Sequence, residues 1–279
     1  MPGWSQSPPT QIMGVLNVTP DSFSDGGLAV EPRVAVDRAQ SMMVEGAHIV
    51  DVGGESTRPG AEPVSEADEI ARVLPTIEAL DGLGVRVSID TYKAEVAARA
   101  LTAGASIVND ISGGTFEPEI LEVAAEKKAL LVLSHARARP RTMQEGTWTY
   151  EGGVVAAVGA ALHVSVQRAL EAGVERSAIA VDPGIGFGKT DAENLDLLRN
   201  LDRLRPWPGC PILVGTSRKG FIGRITGRPV DQREMGTAAT VALAIAGGAD
   251  LVRVHDVQAA KDVVRMSDAW VHGHLGDSR

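Results

Sequence analysis

Residues 86–110 read RVSIDTYKAEVAARALTAGASIVND and contain one complete unit of a pattern that repeats along the chain. A short apolar run at 86–89 ends in the polar residue Asp90, and a second run at 106–108 ends in Asn109 and Asp110. Residues 92–103 carry apolar side chains at helical spacing, which indicates an amphipathic helix. Two apolar runs joined by a helix predict two parallel strands, buried on both faces, with a crossover helix.

The same alternation occurs eight times. The predicted strands are 11–16, 48–52, 86–89, 106–108, 129–133, 178–181, 211–214 and 251–254, and the predicted helices are 31–46, 66–81, 92–103, 117–127, 153–172, 192–203, 233–247 and 257–270. Eight such units predict a closed (β/α)8 TIM barrel of the α/β class rather than an open doubly wound sheet. Because no linker divides the chain, we expect a single barrel domain over 11–272, with an N-terminal extension at 1–10 and a C-terminal tail at 273–279.

Composition limits the classes of function. The chain has 279 residues, a formal net charge of −9 and 4% aromatic residues, so it lacks the basic footprint of a protein that binds nucleic acid or a membrane surface. No run of about 18 uninterrupted apolar residues occurs, and the first residues do not resemble a signal peptide. The single cysteine, Cys210, excludes a disulfide framework. We therefore predict a cytoplasmic protein that binds neither nucleic acid nor membranes.

A polar or charged residue follows every predicted strand. These residues are Asn17, Asp51, Asp90, Asn109, Asp110, His135, Asp182, the segment 217–219, Arg253 and His255. In a TIM barrel the carboxyl ends of the strands surround the active site. Because the strand interiors are almost free of charge, this ring predicts a functional site at one mouth of the barrel.

Two details of the ring point to an anionic ligand. Arg253 and His255 flank Val254, so the period of two puts both side chains on one face of their strand, where they are costly unless paired or used. The loops at 18–28 and 53–64 are long and rich in Gly, Ser, Thr and Arg. Their N–H groups and guanidinium suit an anion, and both loops are candidate lids.

Two other patterns are weak. The stretch GFGKT at 186–190 resembles part of a phosphate-binding P-loop, but Pro183 stands where that motif requires glycine. No HExxH or similar spacing predicts a tight metal site.

Nine segments, taken together, resemble the dihydropteroate synthase family. They are GVLNVTPDSFSDGG (14–27), VDVGGESTRPGA (50–61), SIDTYKAEVA (88–97), IVNDISGG (107–114), PRTMQ (140–144), DPGIGFGKT (182–190), LVGTSRKGFIG (213–223), GTAAT (236–240) and VRVHDV (252–257). They match in order from about residue 11 to residue 270, and the ordered set is highly specific.

The resemblance implies a (β/α)8 transferase of folate biosynthesis. Its substrates would be 6-hydroxymethyl-7,8-dihydropterin diphosphate and 4-aminobenzoate, and its products 7,8-dihydropteroate and diphosphate. It implies a pterin pocket of Asp90, Asn109, Asp182 and Lys219, with Arg253 against the ring face. Carboxylates can accept the pterin's N–H groups, an ammonium can donate to its oxo group, and a guanidinium suits stacking on its plane.

The resemblance also implies the rest of the site. Asn17, Arg253 and His255 would bind the diphosphate, and Asn17 would ligate a Mg²⁺ cofactor, which takes few protein ligands. Thr57, Arg58, Phe187 and Ser217 would surround the aminobenzoate, with Gly215 in the substrate pocket. The implied catalytic set is Asp90, Asp182, Lys219 and Arg253, with Asp25 and Arg58 from the two lid loops. The family further implies a homodimer, which apolar residues in the helices near 192–203 and 233–270 support.

We expect an ionisation mechanism. Diphosphate would leave first, assisted by Mg²⁺, Arg253, His255 and loop donors. Asp90 or Asp182 would stabilise the delocalised cation, and the weakly basic arylamine would then attack. An in-line displacement is the alternative.

One segment departs from the family pattern: Ser134, His135 and Ala136 stand where Met-His-Met is usual. The smaller, polar Ser134 predicts a looser or repacked pterin pocket. Three other interpretations stay open at this point: a corrinoid-linked pterin methyltransferase, a pterin-binding protein without catalysis, and a Schiff-base aldolase that uses Lys219.

Overall fold

The computed structural model describes Trp4, residues 9–19, 32–58, 60–143, Glu145 and 149–273. The strands are β1 (Gln11–Asn17), β2 (Ile49–Gly53), β3 (Arg86–Asp90), β4 (Ile107–Asp110), β5 (Leu130–Ser134), β6 (Ile179–Asp182), β7 (Leu213–Val214) and β8 (Leu251–Val254). The helices are α1 (Pro32–Glu45), α2 (Glu66–Leu80), α3 (Ala94–Thr102), α4 (Glu119–Glu126), α5 (Val154–Glu171), α6 (Asp191–Arg199), α7 (Gly220–Thr226), α8 (Glu234–Ala246) and α9 (Val257–His272).

The eight strands are parallel and close into a barrel. They pair in the order β6-β5-β4-β3-β2-β1-β8-β7. The remaining seam, between β6 and β7, is joined by a parallel bridge between Val181 and Ile212, with the Val181 N–H donating to Pro211 O at 2.9 Å. The predicted (β/α)8 barrel is therefore confirmed.

The region after β7 differs from the sequence prediction in two ways. Strand β7 has two residues instead of the predicted four. Two helices, α7 and α8, follow it, whereas the sequence pattern predicts only the helix at 233–247. The α7 segment, GFIGRIT, is short and contains two glycines, which lower helix propensity and weaken the periodic signal. It ends at Gly227, whose φ of +70° is the left-handed conformation common after a helix.

The apolar core has two layers. The larger layer lies between the strands and the surrounding helices. The smaller layer fills the barrel interior, and its members are Met13, Ile49, Ile107, Leu130, Val132, Ala180, Leu213 and Leu251, together with Trp4. Trp4 belongs to the predicted N-terminal extension, yet it is buried, and its Nε1–H donates to Ala178 O at 2.7 Å. This indole covers the amino-terminal end of the barrel.

Helix α5 is long and apolar enough, by length and composition alone, to cross a membrane. Its buried residues include Val154, Val158, Leu162 and Val166, which recur every four residues and form a single stripe. A stripe of this kind is typical of a helix that packs on a barrel, since a membrane span is apolar on all sides.

Candidate functional site

The polar ring at the barrel mouth continues the inner core. Side chains two residues apart on a strand share a face. On six strands, the residue two positions after an inner-core residue therefore also faces inward, at the carboxyl end of the strand. These residues are Asp51, Asn109, Ser134, Asp182, Gly215 and Arg253. Asp90 joins this layer, because it is in register with Gly53 on one neighbouring strand and Asn109 on the other.

A buried ion cluster forms the floor of the site. The Arg253 guanidinium donates from Nε to Asp51 Oδ2 and from Nη2 to Asp90 Oδ2, each at 2.6 Å. Asn109 Nδ2 donates to the same Asp51 oxygen at 3.0 Å. Asp51 thus orients both the guanidinium and the amide, and two carboxylates hold the guanidinium in one plane.

The floor keeps free acceptors. Asp51 Oδ1 and Asp90 Oδ1 are buried and have no hydrogen-bond partner among the described residues. Burial raises the pKa of Asp90 to about 7, against the opposing effect of Arg253 and with a further increase from Asp51. Buried acceptors without partners are costly, so they suit a ligand that brings N–H donors.

Asp182 and Lys219 form a second polar pair. Asp182 Oδ1 accepts the Gly184 N–H at 2.7 Å, and burial raises the pKa of Asp182, against the opposing effect of Lys219. Lys219 Nζ donates to Ile185 O and lies 4.4 Å from the centre of the Phe187 ring. Burial lowers the pKa of Lys219 to about 8. A buried acceptor and a buried donor therefore influence each other electrostatically, and the Phe187 ring borders the donor.

The loop between β6 and α6 is held by the ammonium of Lys189. This buried Nζ donates to the carbonyl oxygens of His135, Gly184 and Phe187 at 2.8–3.1 Å, and burial lowers its pKa to about 7. The loop needs glycine at Gly184, where φ is +66° and a Cβ would lie 1.9 Å from His135 O. Lys189 therefore binds backbone carbonyl groups of this protein. The lysine that makes this segment resemble a P-loop holds the loop between β6 and α6 in place.

Positive charge surrounds His255 at the rim. Burial lowers the pKa of His255 to about 3, and the neighbouring charges of Arg253, Arg218, Arg58 and Lys219 lower it further. The imidazole is therefore neutral at pH 7. Ser217 Oγ accepts the backbone N–H of His255 at 3.2 Å and lies 3.0 Å from Nδ1, which favours a proton on Nε2. The cations around this neutral donor make the rim a candidate anion site, although Arg253 is itself paired with Asp51 and Asp90.

The residues at the end of β1 fit a magnesium ion held mainly by its substrate. A Cβ built on Gly53 would lie 3.7 Å from Asn17 Oδ1 and 3.5 Å from Asp90 Oδ2, so two oxygens border the same small space, although Asp90 Oδ2 already accepts a hydrogen bond from Arg253. Such oxygens suit Mg²⁺. Within the described parts of the chain, no group of three or more His, Cys, Asp or Glu could hold a metal. The ion would therefore depend on Asn17, substrate oxygens and water.

The remaining predicted residues lie on the loops around this mouth. Thr57 is partly buried and Arg58 is exposed on the loop after β2, while Gly215 lies beside Arg253, whose Cβ would be 3.6 Å from a Cβ at this glycine. Ser134 is buried and in register with Asp182, so it lines the same pocket. Asp25 and most of the first predicted lid at 18–28, namely residues 20–28, lie outside the described residues.

The structure gives a specific role in the site to three residues for which the sequence predicts none. Asp51 was recognised as a strand end, but only its contact with Arg253 shows its role as an orienting acceptor. In the sequence, Arg218 is only a neighbour of Lys219, and Lys189 belongs to the stretch at 186–190 that resembles part of a P-loop. The period of two on β2 could have selected Asp51, whereas the partner of Lys189 depends on loop geometry.

Comparison with known proteins identifies the family. Residues 13–255 match the model of the pterin binding enzyme family. The chain is 51% identical over 262 residues to the dihydropteroate synthase of Synechocystis sp., covering 93% of this chain and 90% of that protein.

Two solved structures share the fold. The dihydropteroate synthase of Clostridium difficile, solved in the presence of pteroic acid, has a TM-score of 0.87 and 42% identity, covering 94% of this chain and 96% of that one. The enzyme of Xanthomonas albilineans, solved with 4-aminobenzoic acid, has a TM-score of 0.86 and 40% identity, covering 94% and 93%. The chain therefore belongs to the dihydropteroate synthase family, the pterin-binding transferases of folate biosynthesis, as its sequence motifs predicted.

Proposed function

We propose that this protein condenses 6-hydroxymethyl-7,8-dihydropterin diphosphate with 4-aminobenzoate to give 7,8-dihydropteroate and diphosphate. The observation that carries the proposal is the meeting of two unlike environments at one mouth. A floor of buried acceptors and donors adjoins a rim of positive charge around His255. A hydrogen-bonding heterocycle joined to a polyanion is complementary to both.

The pterin would lie on the floor. Its 2-amino group and ring N–H groups would donate to the Asp182 and Asp90 carboxylates, and Lys219 and Asn109 would donate to its oxo group and ring nitrogens. The Arg253 guanidinium, held flat by two carboxylates, would lie against the ring face. A pocket of this kind rejects molecules that leave its buried polar groups unpaired.

The diphosphate would lie at the rim. Arg253, the Nε2–H of His255 and the loop guanidinium of Arg58 would hold it, and Asn17 would hold the Mg²⁺ that accompanies it. Bound there, Mg²⁺ would neutralise charge on the departing diphosphate. The protein's own cations would do the same as the bond to the pterin methylene breaks.

The aminobenzoate would enter beside the loop after β2. Thr57 and Arg58 on that loop, and Phe187, Ser217 and Lys219 opposite, would form its pocket. The ligands of the two solved relatives, pteroic acid and 4-aminobenzoic acid, support aminobenzoate as the second substrate. The catalytic part of Asp90 or Asp182 would be electrostatic, because a nearby carboxylate stabilises the methylene cation that the arylamine attacks.

The first experiment is an assay of diphosphate release. Purified protein, Mg²⁺ and dihydropterin diphosphate are incubated with and without 4-aminobenzoate, and products are identified by mass. We expect dihydropteroate only when aminobenzoate is present, formed together with an equal amount of diphosphate, and without aminobenzoate at most a slow release of diphosphate. Binding of the pterin without product would favour a binding protein, and the enzyme proposal would fall. Methyl transfer to a corrinoid, or borohydride trapping of a substrate on Lys219, would do the same.

The same assay separates the two mechanisms. If ionisation comes first, water can capture the cation, so slow diphosphate release without aminobenzoate yields hydroxymethyldihydropterin. An in-line displacement predicts no such release.

Ser134 would contribute to pterin affinity, because it lines the pocket beside Asp182.

We also propose a cytoplasmic homodimer. Helices α8 and α9 pack together and expose four large apolar side chains, Met235, Leu243, Met266 and Trp270, which are 61–82% exposed. Apolar patches of this kind mark interaction surfaces. Leu243→Glu is expected to convert a dimer into a monomer in light scattering, and a monomeric parent protein would refute the proposal.

The one cysteine, buried at Cys210, is compatible with a reducing compartment, and the compartment itself is tested by cell fractionation.

A further inference from the structure

A buried ion cluster lies under the loop after β2, outside the pterin and diphosphate contacts. Lys93 Nζ donates to Glu55 Oε2 at 2.6 Å and also to Glu69 Oε2. The side chains of Lys93, Glu55 and Glu69 are 7%, 5% and 1% exposed. Tyr92 OH donates to Glu55 Oε1 at 2.8 Å. Burying such a cluster costs desolvation free energy, which indicates that these charges have a role besides stability.

The cluster fastens both ends of one loop. Lys93 Nζ donates its third proton to Val64 O at 2.7 Å, and the Val64 N–H donates to Glu55 Oε2 at 2.9 Å. All three ammonium donors are therefore used, and Glu55 and Val64 meet on one side chain. The segment between them, residues 56–63, carries Thr57 and Arg58. Its described contacts with the rest of the chain are a hydrogen bond from the Gly60 N–H to Pro140 O at 2.9 Å and an exposed ion pair between Arg141 and Glu62 at 3.4 Å.

The cluster also joins this loop to the pterin floor. Lys93 stands three residues after Asp90, at the start of α3, and Glu55 stands two residues before Thr57. The same ammonium therefore sets the distance between the strand that presents Asp90 and the loop that presents Thr57. Tyr92 is in turn packed edge-on against Phe116, with ring centres 5.4 Å apart, which restrains the cluster from the side.

We propose that Glu55 and Lys93 are positioning residues for the second substrate: they hold the loop at 56–63 in the conformation that receives 4-aminobenzoate. This inference rests on the proposed function. The two carboxylates on Lys93 have different tasks. Glu55 binds the loop through the Val64 N–H, whereas Glu69 on α2 has no described hydrogen bond to the loop and supplies a second negative charge.

This division provides a matched pair of variants. Glu55→Ala and Glu69→Ala each remove one buried carboxylate from the same ammonium, but only the first releases the loop. We expect Glu55→Ala to raise KM for 4-aminobenzoate about tenfold or more, because the loop must then be ordered on binding. KM for dihydropterin diphosphate is expected to rise less, by no more than about threefold, since the floor is untouched and Arg58 is the only proposed diphosphate contact on this loop. Glu69→Ala is expected to leave both KM values near those of the parent.

Amide hydrogen exchange gives a readout that does not depend on turnover. In Glu55→Ala, peptides covering 56–64 are expected to lose protection, above all at the Val64 amide, while in Glu69→Ala they keep it. If Glu55→Ala does not fold, Glu55→Gln serves instead: its carbonyl can accept from Lys93 and Val64 or from Tyr92, but not from all three as before, so a smaller change in the same direction is expected.

Three results would overturn the inference. They are unchanged exchange at 56–64 in the folded Glu55 variant, an equal rise in both KM values, or the same aminobenzoate effect in Glu69→Ala. Failure of the proposed function is distinguishable, because a parent protein without synthase activity would still give the loop exchange result. In that case the anchoring of the loop would stand and its assignment to 4-aminobenzoate would fall.

Discussion

Asp51 is the acceptor on which the orientation of the pterin floor depends. Its Oδ2 accepts both Arg253 Nε at 2.6 Å and Asn109 Nδ2 at 3.0 Å, and its side chain is fully buried. Asp51→Asn keeps the shape, and its carbonyl can occupy the Oδ2 position, so both hydrogen bonds can persist: the one from Asn109 then joins two neutral groups, and the one from Arg253 joins a charged donor to a neutral acceptor. The substitution therefore removes charge with little change in packing.

The magnitude follows from these two bonds. A hydrogen bond to a charged group contributes roughly 1.5–3 kcal/mol, and a neutral one roughly 0.5–1.5 kcal/mol. The Asn109 bond loses its charge assistance and the Arg253 bond loses its ion-pair character; at about 1–1.5 kcal/mol for each change, the substitution costs about 2–3 kcal/mol. If substrate binding must supply the lost orientation, kcat/KM for dihydropterin diphosphate falls by about 30- to 100-fold, at 1.4 kcal/mol for each factor of ten.

The assay is diphosphate release at varied dihydropterin diphosphate, together with urea unfolding. Asp250→Asn is the matched control. Asp250 Oδ2 likewise accepts a guanidinium, from Arg205 at 2.8 Å, and a backbone N–H, from Ile212 at 2.8 Å, but it lies at the opposite end of the barrel, before β8. The control is expected to lose stability and to keep kcat/KM within about threefold.

The result that refutes this reasoning is a folded Asp51→Asn protein whose kcat/KM stays within about threefold of the parent value. An equal loss of kcat/KM in Asp250→Asn would also refute it, because the effect would then follow general stability and not the orientation of Arg253.

Four further predictions concern Lys219 and Trp4. Lys219→Ala is expected to lower kcat/KM by about 10²-fold or more, the scale for one preorganised donor, and near-parent activity in the diphosphate assay would contradict its assignment. Because burial lowers the pKa of Lys219 to about 8, kcat/KM for the pterin substrate should fall as the pH rises through about 8 and the ammonium loses its proton; a flat profile would argue against this donor. The same shift means that the folded chain binds fewer protons at Lys219 than the unfolded chain between pH 8 and 10.5, so this group's contribution to stability rises with pH there, which urea unfolding at several pH values measures. Trp4→Ala is expected to lower the free energy of unfolding by about 3–5 kcal/mol with unchanged KM values, and a loss below about 1 kcal/mol would show that the indole does not close the barrel.

Much of the fold and of the candidate site could be predicted because its signals are local. The alternation of apolar runs and helical segments repeats eight times, and period two places Asp90, Asp182 and Arg253 at inward-facing strand ends whatever their partners are. The same locality explains the errors near β7. A strand of two residues and a helix of seven residues with two glycines carry too little periodicity to be distinguished from loops.

The sequence alone was sufficient for the architecture, the family and most of the residues at the mouth, since these depend on pattern and order along the chain. Closure of the barrel decided the rest. It brings Arg253 to Asp51 across 202 residues, Trp4 to Ala178 across 174, and Lys93 to Glu55 across 38. The hydrogen-bond partners, orientations and pKa values of these side chains arise from burial and from contacts between distant residues. Burial and such contacts are not properties of any single segment of the sequence.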